Sequence, residues 1–173
     1  MEEEINIPEN VEVRKEGGVL FVKGKLGEIS KRLSHPKVKI EVSDNVVKVF
    51  SDLETRKSKR LINTFVSHIK SLFKGIQEGY TYKLKIVYTH FPTNVKLEGD
   101  KIIIENFIGE RSPRITKKLP GVEIKIDKKD ITVSGPDLQA VSQTAANLER
   151  VTRIVGKDKR IFQDGIYITE KGK

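Results

Sequence analysis

The chain has 173 residues, 33 Lys and Arg against 24 Asp and Glu, and a formal net charge of +9. That length fits one large domain or two small ones, and the cation excess favours a polyanionic partner such as nucleic acid. There is no cysteine, which excludes a disulfide framework and thiolate chemistry; no apolar run approaches the roughly 20 residues of a membrane helix, and the opening "MEEEINIPEN" is acidic rather than a cationic leader, so the expected compartment is the cytoplasm.

In chain order, a short strand and a tight turn at Glu16-Gly17-Gly18 lead into "VLFVKGKLGE" (19–28). An alternating hairpin follows, "VKIEVSDNVVKV" (38–49), whose period-2 apolar residues flank the polar turn Ser43-Asp44-Asn45. Leu61, Ile62, Phe65, Val66, Ile69, Leu72 and Phe73 then recur at helical spacing, a stripe wide enough to cover a sheet. Arg56, Lys57, Lys59 and Arg60 sit at the start of this helix, where the dipole disfavours positive charge; either an anion binds there, the helix starts earlier, or the face is simply solvated. A glycine-led strand, "GYTYKLKIVYTH" (79–90), closes this half, and its Tyr80, Tyr82 and Tyr88 read as exposed on one sheet face.

His90-Phe91-Pro92 interrupts that strand and Thr93-Asn94 turns the chain, which divides the molecule into domains 1–91 and 92–173. The linker is short, so the two are expected to keep a nearly fixed orientation. Beyond it the pattern repeats. A turn at Glu98-Gly99-Asp100-Lys101 leads into "KIIIENFIGE" (101–110), which aligns with 19–28 and sets Gly109-Glu110 over Gly27-Glu28. The hairpin "VEIKIDKKDITV" (122–133) aligns with 38–49, placing Val122, Ile124, Ile126, Ile131 and Val133 under Val38, Ile40, Val42, Val47 and Val49. A second helix is expected over 135–156. Its N-terminus is Gly135-Pro136-Asp137, its stripe is Leu138, Val141, Ala145, Leu148, Thr152 and Val155, and its stop is Gly156. "GIYITEK" (165–171) closes the second half. The fold class is α+β: two tandem homologous domains, each a small, mostly antiparallel sheet packed with one helix.

Catalytic signals are lacking. His35, His68 and His90 lie in unlike settings with no nucleophile elbow, acids alternate with lysines along strands as on a solvated sheet face, and no phosphate-cradling Gly-Lys-Ser/Thr loop exists. The sequence therefore nominates no enzyme activity, no catalytic or metal-binding residue, no cofactor and no small-molecule substrate. Cations, by contrast, form three clusters, and beside Arg56, Lys57, Lys59 and Arg60 two lie in the second half. One group is Arg111, Arg114, Lys117 and Lys118 in "GERSPRITKKLPG"; the other is Arg150, Arg153, Lys157, Lys159 and Arg160 at the end of the second helix and beyond. The helix dipole accounts for Arg153 and Lys157 at most.

The stretch "RVTRIVGKDKRIFQDGIYITEKG" (150–172) resembles the C-terminal signature of the sixth protein of the large ribosomal subunit in its archaeal and eukaryotic form. "FVSHIKSLFKGIQEGYTYKLKIVYTHFPTNV" (65–95) is similar to that family's domain junction, and "NFIGERSPR" (106–114) to the loop opening its second half. Bacterial members carry a Tyr-Lys-Gly-Lys-Gly run where this chain has Phe162-Gln163-Asp164-Gly165, which points to the archaeal branch.

The resemblance implies a duplicated α+β fold held by large-subunit rRNA beside the sarcin-ricin loop and the elongation-factor binding region, with neighbouring ribosomal proteins as further partners and elongation factors nearby. The nine cations of the second half are the expected phosphate contacts, with that half as the main rRNA-binding one, and the Asp164-Gly165 turn is expected to fix the tip's shape. Tyr167 packs on protein or stacks on a base, and the tail 170–173 is expected to order on RNA. Two other classes compete: an architectural DNA-binding module that bends duplex DNA with apolar wedges, and a carboxylate and Mg²⁺ nuclease for which no acid cluster exists.

Overall fold

The computed structural model describes residues 2–43 and 45–172. The chain divides into two compact units, one ending at Gly79 and one beginning at Tyr80. The first contains β1 (Glu2–Asn6), β2 (Glu12–Glu16), β3 (Val19–Gly24), β4 (Gly27–Arg32), β5 (Lys39–Val42), β6 (Val46–Phe50) and α1 (Arg56–Glu78). β2, β3 and β4 form one antiparallel sheet, and a second has the order β1-β6-β5. The turn of the β5–β6 hairpin lies where alternation predicts it, Ser43 N–H bonding the Val46 carbonyl at 2.9 Å; Asp44 itself lies outside the described residues.

Helix α1 starts at Arg56 and no earlier, because the Thr55 hydroxyl accepts the Ser58 N–H at 3.2 Å and ends the extended backbone before it. Its Ile62, Val66, Ile69, Leu72, Phe73 and Ile76 are buried with Leu20, Val22, Ile40, Val47 and Val49 in one core. Gly24 permits the approach: a Cβ there would lie 2.7 Å from Ile76 Cγ2.

The second unit repeats the element order: β7 (Tyr80–Val87), β8 (Asn94–Glu98), β9 (Lys101–Glu105), β10 (Arg114–Lys117), β11 (Glu123–Asp127), β12 (Asp130–Gly135), α2 (Leu138–Val151), then an added strand β13 (Gly165–Glu170). Its sheets are β10-β9-β8 and β11-β12-β7-β13, every pairing antiparallel. Asp137 caps α2, its carboxylate accepting the Gln139 N–H at 3.0 Å. Val141, Ala145 and Leu148 are buried together with Leu84, Ile86, Ile131, Val133 and Ile166 from the four-stranded sheet, and Phe107 from the short turn after β9 joins them.

Three features differ from the sequence expectation. Strand 80–87 does not close the first half. It opens the second, hydrogen-bonding β12 along one edge and β13 along the other, so the division falls at Gly79 and the break at 90–92 becomes the β7–β8 loop. By pairing, β7 is the counterpart of β1, which flanks β6 as β7 flanks β12. Second, the three tyrosines are not exposed wedges: Tyr80 is buried, Tyr82 and Tyr88 are half-buried against the same core, and the Lys129 ammonium lies 4.5 Å from the Tyr88 ring. A central strand covered by a helix has no free apolar face.

The third difference is at α2, which stops at Val151 rather than running to Gly156, so that Val155, expected on the buried stripe, is 82% exposed. The Thr152 hydroxyl lies 3.3 Å from the Leu148 carbonyl and 3.1 Å from that of Glu149, and it accepts the Ile166 N–H at 3.0 Å. This binds the last turn of the helix to β13 and releases the chain into the segment that follows.

Candidate nucleic-acid interface

The surface of interest is built where α2 ends. Arg114, the first residue of β10, directs its guanidinium into that end rather than into solvent. Nε and Nη2 fork onto the Glu110 carboxylate at 2.8 and 2.6 Å, Nη1 donates to the carbonyls of Val151 at 2.7 Å and Arg153 at 3.1 Å, and the group lies 4.5 Å from the Phe107 ring centroid. A planar fork can satisfy all of these at once, which an ammonium cannot. The positive group also meets the negative end of the helix dipole, the task that the sequence assigned to Arg153 and Lys157. The hydrogen bonds from Arg114 hold the Glu110 carboxyl below its ordinary value of 4.5, and the same pair raises the Arg114 value further above its own. This tether holds the start of β10 against the 151–153 stretch at the end of α2.

Beyond the helix, residues 154–164 form a tip organised by Asp158. Its carbonyl accepts the N–H of Ile161 at 3.1 Å and of Phe162 at 2.9 Å, while its carboxylate accepts the backbone N–H of Arg160 at 2.9 Å. The Arg160 guanidinium bonds the same carboxylate at 2.9 Å and stays 90% exposed; those bonds hold the Asp158 carboxyl below its usual range. The Lys157 ammonium lies 4.6 Å from the Phe162 ring centroid, within cation–π range. Asp164 closes the tip. It is only 2% exposed, and its Oδ1 accepts the Thr89 N–H at 2.9 Å, which ties the tip back to the end of β7.

The nine predicted cations therefore separate into three kinds. Arg111, Lys117, Arg150, Arg153 and Lys159 are exposed and have no partner among the described residues. Lys157 and Arg160 are engaged within the tip yet open to solvent. Arg114 is structural, and Lys118 is three-quarters buried with its ammonium 3.7 Å from Asp100. For Arg114 the free-phosphate-contact reading gives way to the tether, because four of its five N–H donors are already engaged inside the protein. Tyr167 donates its hydroxyl to the Gln163 carbonyl at 3.1 Å and keeps part of its ring exposed.

Sequence reasoning missed a cleft of about 310 Å³ between the end of α2, the tip and β13. Arg150, Arg153 and Lys159 stand at it together with Glu149, while Ile154, Phe162, Asp164, Ile166 and Tyr167 supply the rest of its wall. Its one local signal was the "D-K-R" spacing at 158–160, an acid two residues ahead of a backbone donor, which favours a turn bonded to its own side chain. The three histidines have local roles or none: His35 accepts the Lys37 N–H at 3.2 Å, His68 Nδ1 lies 3.3 Å from the Lys31 ammonium, and His90 is exposed.

The model of the family described as ribosomal protein L6 matches the chain twice, over residues 7–79 and 91–165. The chain is 44% identical over 168 residues to the large ribosomal subunit protein uL6 of Haloarcula marismortui, covering 97% of this chain and 94% of that protein. It is 45% identical over 169 residues to its namesake in Ignicoccus hospitalis, covering 95% and 91%, and 44% identical over 170 residues to that of Aeropyrum pernix, covering 98% and 93%. Each matched segment contains one helix and the five strands before it, β2 to β6 in the first and β8 to β12 in the second; the second reaches through the tip, and β7 lies between them. The duplication read from the two hairpins and the motifs around them thus has a family behind it, one of structural proteins rather than enzymes: the chain belongs to the ribosomal protein L6 family.

Proposed function

We propose that this protein is a structural constituent of the large ribosomal subunit in the cytoplasm, and that its second unit is the main rRNA-binding half. The observation that carries this reading is the cationic surface around the end of α2. Five exposed cations without internal partners and two more on the ordered tip lie on segments that the Arg114 tether holds together. Unpaired cations held by a folded scaffold displace counterions from phosphates without first ordering a flexible chain. The finer position, beside the sarcin-ricin loop and the elongation-factor region with neighbouring ribosomal proteins at hand, rests on the family resemblance. The competing role as a DNA-bending module loses the tyrosines as wedges, since Tyr80 is buried and Tyr82 and Tyr88 are half-buried against the core.

The test is binding of the full chain to large-subunit rRNA transcripts across a salt series. Lys159→Ala with Arg160→Ala should weaken binding and lower the slope of log affinity against log salt by roughly one to two. Unchanged affinity and slope would remove the tip from the interface. Mapping which lysines crosslink to large-subunit rRNA tests the position, and duplex DNA as competitor separates the architectural reading.

A further inference from the structure

The cleft at the end of α2 combines two kinds of chemistry that phosphate binding alone does not need. Its rim carries Arg150, Arg153 and Lys159 against the single carboxylate of Glu149, so it is net positive. Its interior is aromatic and apolar, from Phe162, Tyr167, Ile154 and Ile166. Within it lies Asp164, 2% exposed, whose Oδ1 takes the Thr89 N–H while Oδ2 has no donor among the described residues. Thr152, the other polar group there, already uses its hydroxyl on two carbonyls and the Ile166 N–H. Oδ2 is not sealed off, since the fully buried side-chain oxygen without a partner among the described residues is Thr93 Oγ1, and Oδ2 is therefore open to an incoming N–H.

We infer that the cleft takes one unstacked nucleotide of the bound RNA, its base against the rings of Phe162 and Tyr167, an amino edge at Asp164, and its phosphate among Arg150, Arg153 and Lys159. This rests on the rRNA reading above and specifies what one part of that surface recognises. A lysine or arginine from a protein partner would satisfy Asp164 but would meet three cations at the rim. A nucleotide presents a neutral donor edge and an anion together, and so matches both ends of the cleft. Unstacked bases of RNA are bound in this manner, by ring stacking and by contacts to their polar edges. The ring of Phe162 is positioned in advance, by its N–H bond to the Asp158 carbonyl and by the Lys157 ammonium near its face.

Cytosine and uracil provide a discriminating pair, since one presents an amino donor where the other presents a carbonyl acceptor. In an NMR titration of the full chain, 5′-CMP should shift the backbone amides of Phe162, Ile166 and Tyr167 and bind roughly tenfold tighter than 5′-UMP. Asp164→Asn keeps an oxygen for Thr89 and exchanges the second oxygen for an N–H donor, so it should erase or reverse the preference. Phe162→Leu, which retains apolar bulk without the ring, should weaken both nucleotides several-fold. The inference fails if neither nucleotide shifts those amides, if inorganic phosphate alone reproduces the shifts, or if Asp164→Asn leaves the preference intact. It fails equally if arginine amide binds there and no nucleotide does, which would assign the cleft to a protein side chain. A wild-type salt slope and rRNA affinity in Phe162→Leu and Asp164→Asn would reject the nucleotide while leaving rRNA binding through the surrounding cations in place.

Discussion

The two units share an element order, a strand, a three-stranded sheet, a hairpin and a helix, yet they end differently. Helix α1 runs 23 residues and stops conventionally, Gly79 with φ +76 donating its N–H to the Gly75 carbonyl. Helix α2 runs 14 residues and is stopped from outside, by the Arg114 guanidinium and by Thr152. The length that α2 gives up is spent on the tip and on β13, which returns to pair with β7. Paired lysines lie along the strands of both units, as in Lys39–Asp52, Lys48–Glu4, Lys83–Glu170 and Lys96–Glu105, all solvent-exposed pairs that contribute little to stability. Exposed cations without a partner among the described residues occur in both units, Arg56, Lys57, Lys59 and Arg60 at the start of α1 among them; what the second unit adds is Arg153 and Lys159 on a segment that exists because its helix is short. A duplicated scaffold thus gains an ordered cationic tip by changing how one helix terminates.

The largest expected effect comes from removing the support beneath that termination. Phe107, 1% exposed, both fills the core of the second unit and carries the Arg114 guanidinium. Phe107→Ala should destabilise the second unit by about 3–5 kcal/mol, seen in denaturant unfolding followed by amide exchange, with the first unit's core amides unaffected. Arg114→Met comes next, at about 2–3 kcal/mol, since it strands Glu110 and two helix-terminal carbonyls; Arg114→Lys should recover less than half of that, lacking the fork. If Arg114→Met left stability unchanged and only weakened rRNA binding, the tether account would be wrong and the residue would return to the set of phosphate contacts.

A smaller and more local effect is expected from Asp158→Ala. Global unfolding should not move, while amide exchange at Arg160, Ile161 and Phe162 accelerates and rRNA affinity falls because the tip must be ordered on binding. Unaltered exchange there would show that the turn does not depend on the carboxylate. The smallest effect separates the units by pH. Burial first, and then the neighbouring Lys31, depress the His68 value below its ordinary 6.5, so the unfolded chain binds the proton more readily than the folded one. The contribution of His68 to the first unit's stability is therefore complete above about pH 6.5 and is lost as pH falls through the depressed folded value. His68→Gln should flatten that part of the first unit's pH profile and leave the second unit's unchanged.

Much of this architecture is written locally. The alternation of Val38 to Val49 and of Val122 to Val133 specifies two hairpins, because period-2 burial needs no knowledge of the partner sheet. The stripe from Leu61 to Phe73 specifies a helix for the same kind of reason, and the motifs at 106–114 and 150–172 carried the family. Strand 80–87 shows the limit. Its sequence says strand, but which sheet it joins is decided by hydrogen bonds to residues 130–135 and 165–170, far along the chain. Cations face the same limit, since Arg114 and Arg111 are alike in sequence and only the fold places two helix carbonyls and a carboxylate around one of them.

By itself, then, the sequence determined that the chain is duplicated, that each copy combines hairpins with one helix, and that positive charge concentrates late in the second copy. The tertiary structure decided where one unit ends and the next begins, where α2 stops, which cations remain unpaired, and that a cleft with a buried carboxylate lies among them. The physical reason is range. Periodicity and capping act over a few neighbouring residues, whereas sheet pairing, the neutralisation of a charge and the shape of a cleft depend on groups brought together from distant positions only when the chain folds.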